Sequence, residues 1–356
     1  MKALTKDMEN TEVLCLKEAK LWSELLEKCR QCDIHFTSEY MKIFEKQMDG
    51  KAMAFVQKLG KNFMLYPFFL RRINDLPFFD SANEMQEEYF DIVSPWYFGG
   101  PVFSTGDDVE NEKLFLQFIK NFEIYCKQKN IVSEFTRFHP ILKNHEPFLK
   151  HGEVKEEYDV AYVNLQQSKE EIWKNFKKSN RNAITKAKKN NVEVFHGGKE
   201  LVDDFYRLYI KTMDRQKAGK FYYFPKDFFL SLFDAFEKNS VIFVAKHGEK
   251  TIAASLILFK CGIVHYWLSG SDSDFMHLCP NNIMLYEAIL WFKKNGNKIF
   301  LLMGGSNPSL RQFKFSFTNT LAKFYTYRKI HNQKIYDMLC KKSKTSEKDY
   351  FPAYRA

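Results

Sequence analysis

The chain has 356 residues, 45% apolar and 17% aromatic, with only 15 glycines and 10 prolines. That length accommodates two ordinary domains, and the composition excludes a disordered or collagen-like chain. Lysine and arginine outnumber acids 54 to 44, a net charge of +10 that favours anionic partners, although bases and acids are interspersed as on a solvated surface.

The opening MKALTKDMENTEV lacks the continuous apolar core of a signal peptide. The longest apolar run, Phe63 to Leu70, is too short to span a bilayer. A cytoplasmic protein is therefore expected, with seven cysteines in no regular framework, as in a reducing compartment. Cys29 and Cys32 form a lone CxxC at the end of a helical pattern, without the second ligand pair of a zinc site or the setting of a redox motif.

Residues 54–66 (AFVQKLGKNFMLY) and 242–254 (IFVAKHGEKTIAA) each read as strand, turn and strand, with Gly60 or Gly248 at the turn. Each hairpin leads through further strand-like sequence to a helix, 109–129 or 281–295. An apolar segment then follows, Ile131 to Phe138 or Ile299 to Met303. This diffuse repeat predicts an α/β (α+β) protein with a mixed, helix-flanked sheet in each half. The expected domains are 1–153 and 154–335, with a solvated tail over 336–356.

Tyr158 to Leu165 reads as a strand. Ser168, three residues before Glu171, forms a capping box that opens a helix over 169–190. Ile172, Phe176, Ala183, Ile184 and Ala187 share its apolar face, opposed by Lys174, Lys178, Arg181, Lys188 and Lys189. A charged face of this kind is ordinarily solvated. A second helix is expected over 199–217. Pro225 fits the first position of a third, whose Phe228, Phe229, Leu232, Phe233 and Phe236 read as core. Gly296 ends the 281–295 helix.

No G-x-S-x-G elbow, G-x-x-x-x-G-K-[ST] loop or G-x-G-x-x-G fingerprint is present. The nine histidines lack metal-ligand spacing, so no metal is expected. Cys279 beside Pro280 reads as a structural cysteine. The strongest local signal is GNKIFLLMGGSNPSLRQFKFSF, from Gly296 to Phe317. A strand runs into Gly304-Gly305, and Ser306-Asn307-Pro308 opens a short helix carrying Arg311 and Lys314. Glycines there admit close backbone approach, and ligands of open α/β sheets bind beyond the strands' carboxyl ends. Cations at that point can hold a phosphate or a developing oxyanion. The competing reading is a tight turn followed by solvated basic residues.

The element order over about 156–330 resembles the FemABX group of GNAT-superfamily acyltransferases. The paired glycines followed by Phe313-Lys314 look like that group's C-terminal motif. KKSNRNAITKAKKNNVEV (177–194) resembles its basic helix, and KTMDRQKAGKFYYF (211–224) its Thr-x-x-Arg segment before an aromatic. CPNNIMLYEAILWFKKNG (279–296) resembles the helix before the glycine strand, and DIVSPWYFGGPVFS (91–104) its Ser-Pro-aromatic and Gly-Gly-Pro stretch. The resemblance implies two tandem GNAT-like domains facing each other across a cleft, and transfer of an acyl or aminoacyl group onto an amine. By position, Lys314 with Arg311 would stabilise the oxyanion or the donor's phosphate end. Arg215, Thr212 and Tyr222 would bind acceptor phosphate, and Lys178 and Arg181 would extend that basic wall. Gly304, Gly305 and Phe313 would shape the donor channel.

Three departures narrow this. FLLMGG lacks the acidic and aromatic residues often found before the glycines. The long coiled-coil arm of some members is absent, so tRNA binding through it is not expected. The Gln/Arg-x-x-Gly-x-Gly/Ala loop of acetyl-CoA-dependent enzymes is replaced by SGSDSDFMHLCPNN. The leading expectation is aminoacyl transfer from charged tRNA to a phosphate-bearing cell-envelope acceptor, a UDP-sugar or muropeptide precursor of peptidoglycan type. The second is an N-acyltransferase using acyl-CoA or an acyl carrier protein on an amino sugar or amino acid. The third is a non-enzymatic RNA-binding protein. No tightly bound cofactor and no DNA partner are expected. Membrane contact would be peripheral.

Overall fold

The computed structural model describes residues 8, 10–78, 87–304, 307–344 and 350–356. They divide into two compact units, one comprising 1–157 and 324–356, the other 158–323. No helix among the described residues is long and apolar enough to cross a membrane.

The first unit begins with β1 (Thr11–Cys15), α1 (Ala19–Lys28) and α2 (Ser38–Phe44). The expected hairpin follows as β2 (Lys51–Leu59) and β3 (Asn62–Arg72), turning at Gly60 with φ +57°. Then come β4 (Phe90–Val93), β5 (Val102–Phe103), α3 (Asp108–Gln128) and β6 (Ile131–Arg137). β7 (Glu153–Asn164) spans the boundary in sequence.

The second unit continues with α4 (Lys169–Asn175), α5 (Lys178–Lys189), β8 (Val192–Gly197), α6 (Val202–Gln216) and α7 (Lys226–Ala235). The second hairpin, β9 (Ser240–His247) and β10 (Lys250–Lys260), turns at Gly248 with φ +58°. β11 (Ile263–Ser271), α8 (Pro280–Lys294), β12 (Ile299–Met303) and α9 (Pro308–Lys314) complete it. The chain ends with β13 (Leu321–Ile330) and α10 (Gln333–Ser343).

Both units repeat one plan, so the diffuse sequence repeat has a structural basis. The first orders its strands β1-β2-β3-β4-β6-β13, and the second β7-β12-β11-β10-β9-β8. β4 runs parallel to β6 across α3, as β11 runs parallel to β12 across α8, while the hairpins are antiparallel. A helix on the face of each parallel pair is what a strand–helix–strand crossover requires. In the first unit Phe118 and Phe122 of α3 pack edge-on against Phe55 and Tyr66. In the second, Phe292 of α8 meets Phe243, Phe259 and Phe300.

Four local expectations are corrected. The helix expected over 169–190 is two helices, because Phe176 and Lys177 adopt extended ψ angles of 140° and 147°. Phe176 turns inward onto Phe317 at 5.3 Å, and Arg181 Nη1 donates to the carbonyls of Lys174 and Phe176, closing the elbow. Ala183 is consequently only half-buried, whereas Ile184 and Ala187 reach the core. Pro225 is the N-cap of α7, one position before the expected one.

The fourth correction concerns the 336–356 tail. Residues 333–343 are helical with Leu339 fully buried, and the terminus is anchored. The buried Asp91 carboxylate accepts from Arg71 Nε (2.6 Å), Tyr354 Oη (3.1 Å) and Arg355 Nε (2.5 Å). The expected second domain ran to 335; the contacts return the chain to the first unit at Phe324.

Candidate active site

β11 and β12 share a parallel ladder over only three residue pairs, Ile263–Ile299, Val264–Phe300 and His265–Leu301. Beyond them β11 runs on to Ser271 against β10. β12 instead slips register between Leu301 and Met303, and Met303 pairs with Ala161 of β7 in a left-handed conformation, φ +69°. The two strands therefore part toward their carboxyl ends. Among the described strands, the edge of β11 facing away from β10 has no ladder partner past this point. A strand edge without a ladder partner can bind the amides of a ligand.

Gly304 follows the bulge. A Cβ there would lie 2.5 Å from the Asp159 carbonyl oxygen and 3.0 Å from the Tyr158 ring, so only glycine lets the end of β12 lie against β7. Gly305 lies outside the described residues. α9 then starts cleanly: Asn307 Oδ1 accepts from the N–H groups of Ser309 (3.0 Å) and Leu310 (3.2 Å), and Pro308 takes the first position.

The last turn of α9 sends Lys314 back to the strand end, where its Nζ donates to the Gly304 carbonyl at 3.3 Å. No carboxylate pairs with it among the described residues. Burial pushes its pKa down to about 8, because a desolvated ammonium without a counter-charge is disfavoured. Arg311, one turn earlier, stacks its guanidinium on the Phe315 ring at 5.3 Å. Phe313 packs edge-on against Phe317 at 5.2 Å, at the margin of the core.

A second cluster forms where α6 crosses β11. A Cβ on Gly270 would lie 2.3 Å from the Leu208 carbonyl carbon, so glycine permits direct contact between the helix backbone and the strand. Thr212 Oγ1 accepts from Ser271 N (3.0 Å), and Arg215 Nη1 donates to the Ser271 carbonyl (3.0 Å). The Thr-x-x-Arg pair thus staples the last turn of α6 to the carboxyl end of β11, with Arg215 still exposed. Tyr222, Phe221 and Tyr223 are exposed on the following turn, and the Tyr222 carbonyl accepts from Tyr209 Oη.

Lys178 is exposed in the first turn of α5. That turn is hitched to the segment just after α9: Lys177 N donates to the Ser316 carbonyl at 2.8 Å, and Asn180 Nδ2 to the same oxygen at 3.2 Å. Arg181 is engaged at the elbow. The structure therefore groups Gly304, Arg311 and Lys314, joins α5 to that group through Ser316, and places Thr212 and Arg215 at the end of β11. Gly270, Ser316, Asn180 and the bulge at Met303 carry this arrangement and were not singled out from sequence. Of these only Gly270, inside SGS, offers a local signal, as a glycine interrupting a strand pattern.

The connection from β11 to α8 carries Asp272 and Asp274. Lys250 Nζ lies 3.1 Å from Asp272, and Asp274 N donates to Asp272 Oδ1 at 3.3 Å. Carboxylates here are opposite in sign to what a pyrophosphate at this turn would need.

Residues 174–314 match the family model described as an acetyltransferase (GNAT) domain. No curated protein matches the sequence. The fold is similar to the crystal structure of FemX, with 12% identity, 92% of this chain and 99% of that chain covered, and a TM-score of 0.68. It is also similar to the C-terminal domain of a protein described as a lysylphosphatidylglycerol synthetase from Agrobacterium fabrum, at 12% identity, 92% and 95% coverage, and a TM-score of 0.54. A conserved protein of unknown function from Bacteroides thetaiotaomicron aligns at 11% identity, 89% and 98% coverage, with a TM-score of 0.55. At such identities these structures establish fold. The chain therefore carries a GNAT acetyltransferase-type domain, which includes the parted strands and Lys314, within a FemX-like α/β fold.

Proposed function

We propose that the second unit is an acyltransferase that moves an aminoacyl or acyl group from an activated ester or thioester to an amine. The observation that carries this reading is the opening between β11 and β12, with the Lys314 ammonium half-buried at the end of β12. The edge of β11 that faces away from β10, before Ser271 is taken by Thr212 and Arg215, would meet the donor's amide or ester chain. When the amine attacks, an N–C bond forms and the carbonyl oxygen gains negative charge. Lys314, mostly protonated at neutral pH, supplies a preorganised cation for that charge. The C–O or C–S bond then breaks, the leaving oxygen or sulfur departs with the electron pair, and the amine's extra proton passes to it or to water. Positioning supplies much of the remaining acceleration.

Arg215 and Thr212, with Tyr222, would present the acceptor's phosphate at the end of β11. Lys178 would add charge from α5. The proposed acceptor is a UDP-sugar or muropeptide amine of the cell envelope, and the proposed donor a charged tRNA in the cytoplasm. Asp272 and Asp274 would repel an acyl-CoA pyrophosphate placed at the turn from β11 to α8.

Ligand-dependent melting separates the donors and acceptors, since ligand that binds the native state raises Tm with concentration over Kd. Stabilisation by a UDP-muropeptide with none from acyl-CoA is expected. Stabilisation by acyl-CoA alone would overturn the donor assignment and move the acceptor to amino sugars and amino acids.

A further inference from the structure

The cations at the second unit's candidate site differ in one chemical respect. Arg181, Arg215 and Arg311 carry guanidiniums, which stay protonated in proteins and offer no nucleophilic lone pair. Arg181 is engaged with the Lys174 and Phe176 carbonyls, Arg215 with the Ser271 carbonyl, and Arg311 with the Phe315 ring. Lys178 is exposed, with the hydration of a surface ammonium. Lys314 is the half-buried amine of the group.

Its surroundings suit a nucleophile. Nζ donates to the Gly304 carbonyl at 3.3 Å, a neutral acceptor that can hold the free amine as well as the ammonium. With one N–H held there, the lone pair of the free amine turns away from that carbonyl. No carboxylate among the described residues favours the protonated form. Desolvation lowers the pKa to about 8, so about half of the side chain is neutral at that pH, against under about 1% of an ordinary lysine. Lysines desolvated in this way are the ones that serve as nucleophiles.

Its position also brings it within reach of a donor. A nitrogen about 3 Å from a carbonyl oxygen lies roughly 4 Å from the carbonyl carbon, given a C=O bond of about 1.2 Å. Reacting atoms in near-attack geometry are about 3–3.5 Å apart, and the flexible lysine stem covers the difference.

We propose that Lys314 is itself an acylation site: with a donor in the opening and no acceptor amine beside it, Nζ takes the acyl group and transfer stops. This rests on the transferase reading, because the donor's carbonyl must enter the opening. In the step, the lone pair of the neutral amine forms an N–C bond to the carbonyl carbon. The C–O or C–S bond breaks, and the oxygen or sulfur leaves with the electron pair. The nitrogen's extra proton passes to that leaving group or to water. The resulting amide carries no charge, so the next oxyanion finds no cation at this position.

The test incubates the full chain at about pH 8 with S-acetyl-N-acetylcysteamine, a thioester without a pyrophosphate. A parallel arm uses an alanyl ester of adenosine, the terminal nucleoside of a charged tRNA. Peptide mass spectrometry follows the acylation of each lysine with time. With at least one donor, Lys314 is expected to react on the order of tenfold faster than the exposed Lys189, its larger neutral fraction outweighing its lower basicity. In urea-unfolded protein the preference should vanish. Equal rates at Lys314 and Lys189 with both donors, or a preference that persists in urea, would overturn the proposal. Amide formed on an added UDP-muropeptide amine while Lys314 stays unmodified in its absence would also overturn it, and would leave the transferase reading standing. Acylated Lys314 with no amide on any added amine would keep the acylation site and count against the transferase.

Discussion

Replacing Lys314 by methionine should stabilise the protein at neutral pH, and the gain should vanish as the pH rises. The pKa of the Lys314 ammonium falls from the ordinary 10.5 to about 8 on folding, through desolvation. That difference of about 2.5, at about 1.4 kcal/mol per pH unit, amounts to about 3.5 kcal/mol against folding at pH 7. The side chain is not fully buried, so about 3.5 kcal/mol is an upper bound. Between about 8 and 10.5 the unfolded chain binds more protons than the folded one, so the lysine protein gains stability as pH rises through that window. Urea unfolding of both proteins from pH 7 to 10.5, compared at matched m-values, measures it without any substrate. The stability difference should shrink steadily above pH 8. A difference constant across that range, or a lysine protein that loses stability relative to the variant as pH rises, would refute the burial argument. The same ammonium then could not be a desolvated electrophile.

Four other substitutions probe local contacts of the two units. Arg181→Ala removes the donor to the Lys174 and Phe176 carbonyls and should lower stability by about 1–3 kcal/mol in urea unfolding, with a larger loss if the elbow refolds into one helix. Gly270→Ala forces a methyl onto the Leu208 backbone and should cost about 3 kcal/mol or more, read as a fall in Tm; an unchanged Tm would mean that α6 does not lie on β11 as described. Arg355→Ala leaves the buried Asp91 with Arg71 and Tyr354 alone and should cost about 2–4 kcal/mol, measured by urea unfolding. Arg215→Ala should mainly raise the acceptor KM if the guanidinium is a ground-state phosphate contact; a pure kcat effect would contradict that role.

How much of this could be read in advance depended on how local the cause was. The hairpins at Gly60 and Gly248 were legible because a left-handed turn residue between apolar runs is a local signal. The capping box at Ser168 was legible for the same reason, and both of its hydrogen bonds are present. The break at Phe176 was not, because its cause is the distant Phe317 that receives the ring. Nor was the anchoring of the terminus, where Tyr354 and Arg355 find an aspartate more than 260 residues earlier in the chain.

The site was legible as a list of residues and not as a geometry. The glycines and the helix carrying Lys314 stood out because glycine and proline punctuate the sequence there. The parting of β11 from β12 did not, because it arises when Met303 shifts register against β7, a pairing between residues about 140 apart. The Thr-x-x-Arg segment stood out through its resemblance to a family stretch, as a holder of acceptor phosphate. Its hydrogen bonds to Ser271 show a further task, holding α6 to the strand that borders the opening.

The most direct test of the transferase reading is single-turnover transfer by the wild-type protein and by Lys314→Ala, with folding checked by melting. Labelled aminoacyl-tRNA and labelled acyl thioester would each be offered with a UDP-muropeptide amine, and the labelled amide product counted. Amide formation by the wild type, reduced about a hundredfold in the variant, is the predicted result. No amide from either donor, or equal rates in the two proteins, would contradict it.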